Sequence, residues 1–129
     1  MSGDLGEVAV VDAEVGPELP IIHQDGSARA VIWPGMGAEL RSMHRISLQP
    51  NGRTIRLNHP SEAVYYVISG SGAVCDTPHA PKEALIQGSM ILIEAGSDYA
   101  FCASSDGMEL VGGPSPADPT LYESLEAGE

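Results

Sequence analysis

The most constraining stretch of this 129-residue chain is Leu57-Asn58-His59-Pro60-Ser61-Glu62-Ala63-Val64-Tyr65-Tyr66-Val67-Ile68-Ser69-Gly70-Ser71-Gly72. It reads as a loop with a polar cluster, then a strand rich in β-branched and aromatic residues, then a glycine turn. A second unit follows after a short spacer: Gly88-Ser89-Met90-Ile91-Leu92-Ile93-Glu94-Ala95-Gly96-Ser97-Asp98-Tyr99. Helical periodicity is nearly absent, and 15 glycines and 10 prolines punctuate the chain. Such a pattern predicts many short strands joined by turns, which hide their edges by closing into a barrel or jelly roll.

The remaining strand candidates fit that class. Ala28 to Trp33 is stopped by Pro34-Gly35. A second run extends from Ala38 to Leu48 and ends at the turn Pro50-Asn51-Gly52. Thr54 to Leu57 is short, and Val64 to Ile68 and Gly72 to Asp76 are separate strands. Pro78 to Lys82 makes a loop. Met90 to Ile93 is a near-continuous apolar run, as expected of a strand buried on both faces. Tyr99 to Ala103 and Met108 to Val111 complete the set, and Leu121 to Leu125 gives one terminal helical turn. The expected organisation is an acidic arm or edge strands over residues 1–26, a barrel over 27–113 and an acidic tail over 114–129.

The net charge of −12 is mostly a property of the ends. Ten of the 18 acids lie before Ser27 or after Gly113, and the eight between face all six bases, a formal −2. An acidic chain repels phosphate backbones, so nucleic acid is not an expected partner. No run approaches the ~20 apolar residues of a membrane-spanning helix. Met1-Ser2-Gly3-Asp4 lacks the basic and apolar regions of a signal peptide. Cys75 and Cys102 lack the spacing of a disulfide framework or a zinc ribbon and read as small core residues. Together these features suggest a cytoplasmic, reduced protein.

The two glycine-bounded units resemble the paired motifs of the cupin β-barrels. The likeness covers roughly residues 40 to 112, and it implies a cupin-type β-barrel or double-stranded jelly roll. In that family two histidines, a glutamate and a later histidine converge on a divalent metal. Counted back from Gly70, the histidine slots fall on Leu57 and His59 and the glutamate slot on Ala63. In the second unit Gly88 and Gly96 are in place, while Glu94, Tyr99 and Ala103 replace the usual proline, histidine and asparagine. The layout is also similar to small cupins of polyketide pathways.

Leu and Ala side chains offer no lone pair, so the resemblance implies a barrel without its usual metal. An atypical set drawn from His59, His44 and Tyr99 is the alternative. By its motif slot His59 is the candidate ligand or general base, and Tyr99 the candidate acid or hydrogen-bond donor. Strand alternation puts Ala63, Tyr65 and Val67 on the inner face and Tyr66 outside, at a position suited to a subunit contact. Phe101 shares the inward phase of Tyr99. Leu57, Tyr65, Phe101, His44 and Trp33 are then the expected walls of a pocket for an apolar or aromatic molecule. Glu62 reads as a solvated carboxylate, and His23 and His79 as loop residues. Arg41, Arg45, Arg53 and Arg56 could clasp a carboxylate or pair with the acids.

Two functions follow. One is a non-redox tailoring enzyme of isomerase, cyclase or lyase type, using His59 and Tyr99 for proton transfer. The other is a non-catalytic binding or sensing module that kept the barrel and lost the site. A homodimer is expected from the apolar pieces Val8 to Val11 and Ile21 to Ile22, which lie outside the motif-bearing body.

Overall fold

The computed structural model describes residues 8–75 and 83–127. Six antiparallel strands carry the fold: β1 (Ile22–Ile32), β2 (Met43–Thr54), β3 (Glu62–Cys75), β4 (Glu83–Ile86), β5 (Met90–Ile93) and β6 (Ala100–Ser115). They form one sheet in the order β1-β2-β6-β3-β4, with β5 also paired to β3. Short 3-10 turns cover Pro34–Met36 and Pro119–Tyr122, and the helix α1 (Glu123–Ala127) closes the described chain. Among the described residues no helix is long and apolar enough to cross a membrane. The architecture is the all-β, cupin-type barrel expected from the glycine and strand pattern.

The inner face is a single core of Ala30, Ile46, Val67, Leu110, Tyr65, Tyr99 and Phe101 with their neighbours. Alternation sets this up. In β3, Ala63, Tyr65 and Val67 are buried while Val64, Tyr66 and Ile68 are exposed, as the period of two requires.

The strands are longer than the turn signals imply. Pro50-Asn51-Gly52 does not end β2. Asn51 has φ 64°, and the pairing of β2 with β6 slips between Leu48 and Arg53, so the turn residues are absorbed as a bulge. Gly70 likewise does not break β3. It takes φ 81° beside Gly107, where a Cβ would collide with the Gly107 carbonyl, and register slips on either side keep the strand continuous. The two expected segments around Phe101 and Met108 likewise merge into β6. The second run starts later than expected, at Met43 rather than Ala38, because Gly37 takes φ 103° and Ala38 closes a turn onto the Trp33 carbonyl.

Three further expectations change. Met90 to Ile93 is not buried on both faces: Met90 is 78% and Leu92 61% exposed, since β5 pairs only with β3 and its outer face is uncovered. Ile21 is core, not arm: it is buried, and its carbonyl accepts from the Ile55 N–H, whereas Val8 and Val10 are exposed. The cysteines are not independent core residues. Ala73 pairs with Cys102 and Cys75 with Ala100, which brings the two Cα atoms to 6.5 Å, and the thiols form a disulfide. The expected loop from Pro78 to Lys82, with His79, lies outside the described residues.

Candidate functional site

His59 sits in the loop that leads into β3. The loop is pinned to the second glycine unit by backbone bonds: Leu57 and Tyr99 exchange both N–H···O bonds, and the Gly96 N–H donates to the His59 carbonyl. Asn58 Nδ2 adds bonds to the Gly96 carbonyl (2.9 Å) and to Asp98 Oδ1 (2.7 Å). The imidazole is therefore fixed over Tyr99, and only 3% of His59 is exposed.

Both ring nitrogens are engaged. Nδ1 lies 2.8 Å from Asp118 Oδ2, and Nε2 lies 2.6 Å from the Tyr99 hydroxyl. That hydroxyl is in turn 2.6 Å from the Tyr65 hydroxyl. A carboxylate, an imidazole and two phenols thus form one buried chain. Burial works against the ionised Asp118 carboxyl, but the bonds from His59 and from the Thr120 hydroxyl and backbone N–H outweigh it and hold the group below its ordinary value. An ionised Asp118 can only accept, so His59 Nδ1 carries a proton and donates it. With Nε2 as acceptor, the Tyr99 hydroxyl donates to it and receives from Tyr65. Burial pushes both phenols far above their usual range, so they remain neutral donors.

A second cluster lies alongside. The His44 Nε2 is 2.7 Å from the Tyr122 hydroxyl, and Tyr122 packs on Trp33 at 5.2 Å between ring centroids. Burial, reinforced by the nearness of His59, lowers His44 to about 4. The Ser42 hydroxyl donates to the Pro114 carbonyl (2.7 Å). Gly113 stands where a Cβ would press on Ser42 Oγ and, at 3.1 Å, on His44 Nδ1, so glycine is what lets β6 pass this cluster.

The sequence places His59, Tyr99, Tyr65 and Phe101 together, and the structure does the same. The rings of Tyr65, Tyr99 and Phe101 pack at 4.8 to 5.8 Å between centroids. Their packing also corrects an expectation. The space freed by Leu57 and Ala63 is filled by aromatic rings, so this part of the barrel interior is packed core rather than open pocket. A cleft of about 250 Å³ reaches His59 from outside, walled by Pro20, Ile21, Ile55, Leu57 and Leu121, with Arg56, Asn58 and Thr120 as polar members. Of the five expected pocket walls, Leu57 borders this cleft; Tyr65, Phe101 and His44 are buried behind it, and Trp33 is half-buried against Tyr122. Arg45 pairs with Glu109 (2.7 Å) and Glu14 (3.2 Å), and Glu62 is exposed.

Asp118 and Tyr122 are the site residues that the sequence reading leaves in an acidic tail. Both are buried, at 2% and 1% exposure. Ser61 Oγ to the Pro116 carbonyl (2.8 Å) and Ala117 N–H to the Glu39 carbonyl (3.1 Å) tie the segment down. One signal was available: Asp118-Pro119-Thr120 has the form of a capped helical start, and Asp118 does accept from the Thr120 N–H.

No protein-family model matches this sequence, and no curated protein matches it. Solved structures do. The polyketide cyclase RemF from Streptomyces resistomycificus superposes with a TM-score of 0.68 at 20% identity, over 82% of this chain and 78% of that one. A cupin-like protein from Thermotoga maritima gives 0.64 at 16%, over 84% and 78%. The chain has the cupin fold. The ectoine synthase from P. lautus gives 0.62 at 13%, over 85% and 77%.

The cupin fold invites the question of a metal, and the residues here do not fit one. Leu57 and Ala63 are buried apolar side chains in two of the four ligand slots. Both nitrogens of His59 and Nε2 of His44 are already hydrogen-bonded. Among the described residues no group of three or more His, Cys, Asp or Glu is disposed to hold a metal ion. Three protein ligands are the usual minimum for a catalytic site.

Proposed function

We propose that this cupin is a non-redox tailoring enzyme of isomerase, cyclase or lyase type, acting on a small apolar or aromatic metabolite. The observation that carries the reading is the chain Asp118–His59–Tyr99–Tyr65 at the end of the His59 cleft. Asp118 orients the imidazole and stabilises the imidazolium that forms when His59 takes a proton. The cleft meets the chain at His59, so the ligand's proton passes to His59 as the Tyr99 hydroxyl gives up Nε2, and returns to a different ligand atom, so no oxidant or reductant is consumed. The apolar walls Pro20, Ile21, Ile55 and Leu57 suit a hydrocarbon or ring face. Arg56, exposed at the rim, suits a ligand carboxylate or enolate oxygen. At about 250 Å³ the cleft holds one or two rings rather than an extended chain. The fold relatives that are named for cyclase and synthase activities are compatible with such chemistry.

The second reading, a binding or sensing module, draws on the same packing: Tyr99 is wholly buried and every member of the chain has its partner. One experiment separates the two. Metabolites with acidic C–H bonds are screened by thermal shift, and those that bind are incubated with the protein in D₂O and followed by NMR. Deuterium entering the ligand, and slowed by roughly 10²–10⁴ in Asp118→Asn, supports the enzyme. Ligands that bind tightly yet exchange no faster than in buffer would sink it and leave the module.

A further inference from the structure

Alternation along the strands puts the disulfide on the outside of the barrel. Phe101 and Thr54 are buried and face the core, so their neighbours Cys102 and Arg53 face out. Arg53 is directly opposite Cys102 across β2 and β6, and Cys75 stands on the other side of Cys102, on β3. The guanidinium reaches across to that second sulfur: Arg53 Nη2 is 3.9 Å from Cys75 Sγ. The two halves of the bond are not equally open. Cys75 is 3% exposed, whereas Cys102 is only half-buried. One sulfur is therefore accessible, and the other is enclosed beside a cation.

We propose that Cys75–Cys102 is a thiol–disulfide exchange site, attacked at Cys102 by an external dithiol, with Cys75 as the leaving thiolate. Access selects the sulfur that is attacked, and a stabilised thiolate leaves faster. Arg53 supplies that stabilisation on the Cys75 side. In the first step a thiolate of the dithiol attacks Cys102 Sγ. The bond between the two sulfurs breaks, its electron pair stays on Cys75, and a mixed disulfide joins the dithiol to Cys102. The second thiol of the dithiol then loses its proton and attacks its own linked sulfur, which releases Cys102 as a thiolate. Both cysteines take up protons. Two electrons have passed to the protein, and the dithiol departs as a disulfide. An oxidised dithiol runs the same steps in reverse. β3 and β6 are paired from Glu62–Ser115 to Cys75–Ala100, so the barrel does not depend on the cross-link for its topology and persists in both forms. The reduced thiol pair expected from the sequence and the bond seen in the structure are then two states of one site.

The test uses the full oxidised chain, with glutathione and dithiothreitol as probes. Limiting glutathione is added in the presence of iodoacetamide, which caps the freed thiol, and the peptides are mapped by mass. Glutathione should sit on Cys102 and the cap on Cys75, in at least about tenfold excess over the reverse. Reduction by dithiothreitol should be proportional to dithiol concentration and flat across subdenaturing urea, because the folded protein reacts. Arg53→Gln should slow it about tenfold, the scale of one charge ~4 Å from a partly solvated sulfur. Arg53→Lys should recover most of the rate. Glutathione on Cys75, a rate that climbs steeply with urea, or equal rates in the parent and Arg53→Gln would each overturn the proposal. So would a chain that forms no Cys75–Cys102 bond in oxidised dithiothreitol. If Arg53→Gln does not fold, the peptide map and the urea series, both read on the parent, decide.

Discussion

His59 Nδ1 and Asp118 Oδ2 stand 2.8 Å apart although 59 residues separate them in the chain. The bond joins the loop before β3 to the segment after β6, and it is buried at both ends. Its effect is directional. A carboxylate that only accepts fixes the proton on Nδ1, frees Nε2 to accept, and so sets the sense of every hydrogen bond as far as Tyr65.

Tyr99→Phe keeps the ring and removes the hydroxyl bonded to His59 Nε2. For an enzyme, turnover on an identified substrate should fall by roughly 10²–10⁴. For a binding module, affinity should change by about 0.5–1.5 kcal/mol, the net value of one hydrogen bond. Tyr65→Phe, one step further from His59, should cost less than Tyr99→Phe in turnover. Kinetics of the two variants side by side check this, and a larger loss at Tyr65 would contradict the proposed order of the chain outward from His59.

Stability should fall on acidification in two stages. His44 is held at about 4 in the fold against 6.5 in the unfolded chain. The unfolded state therefore binds the extra proton first, and stability declines as pH falls from 6.5 toward 4, by about 3 kcal/mol at 1.4 kcal/mol per unit. Asp118, whose carboxyl is depressed in the fold, contributes above its unfolded value of 3.8 and loses that contribution as pH drops through its folded value. At the alkaline end the Tyr122 phenol, pushed by burial to about 12, stabilises the fold below pH 10, and that contribution is lost as pH rises toward 12. Urea melts at several pH values measure this, and His44→Gln should flatten the limb between pH 6.5 and 4.

Much of the fold was legible, and part of the site. Period-two alternation in Ala63 to Ile68 fixed which tyrosine faces in, because it depends only on neighbours in the chain. Gly70 and Pro50-Asn51-Gly52 misled, since a residue that permits positive φ serves a bulge inside a long strand as well as a turn between two. The Cys75–Cys102 bond depends on the register of β3 against β6, which local residue pattern does not encode. Asp118 was hidden for a related reason: nothing within a few residues of it marks a partner 59 positions away, and its acidic neighbours resemble a solvated tail.

The disulfide should matter for stability. It links residues 27 apart, and closing such a loop removes unfolded-state entropy worth about 3–4 kcal/mol on the chain-entropy account. Melting with and without reductant, with Cys75→Ser/Cys102→Ser as the permanently reduced form, reads the difference. An unchanged midpoint would mean the bond adds nothing to a fold already held by β3–β6 pairing.

Purified protein should carry no stoichiometric Fe, Mn, Ni or Zn, and chelators should leave its melting point and any activity unchanged. Leu57 and Ala63 remove a nitrogen and a carboxylate from the ligand slots, and His59 is committed to Asp118 and Tyr99. Elemental analysis giving one equivalent of metal, with activity lost on chelation, would instead make His44 and His59 ligands.

The sense of the Asp118–His59–Tyr99–Tyr65 chain is read most directly by the nitrogen NMR spectrum of His59 in ¹⁵N-labelled protein at neutral pH, compared with Asp118→Asn. The account predicts a directly bonded hydrogen on Nδ1, an acceptor-type shift at Nε2, and loss of that single form in the variant. A hydrogen on Nε2 in the parent, or a ring averaging between tautomers in both proteins, would contradict it.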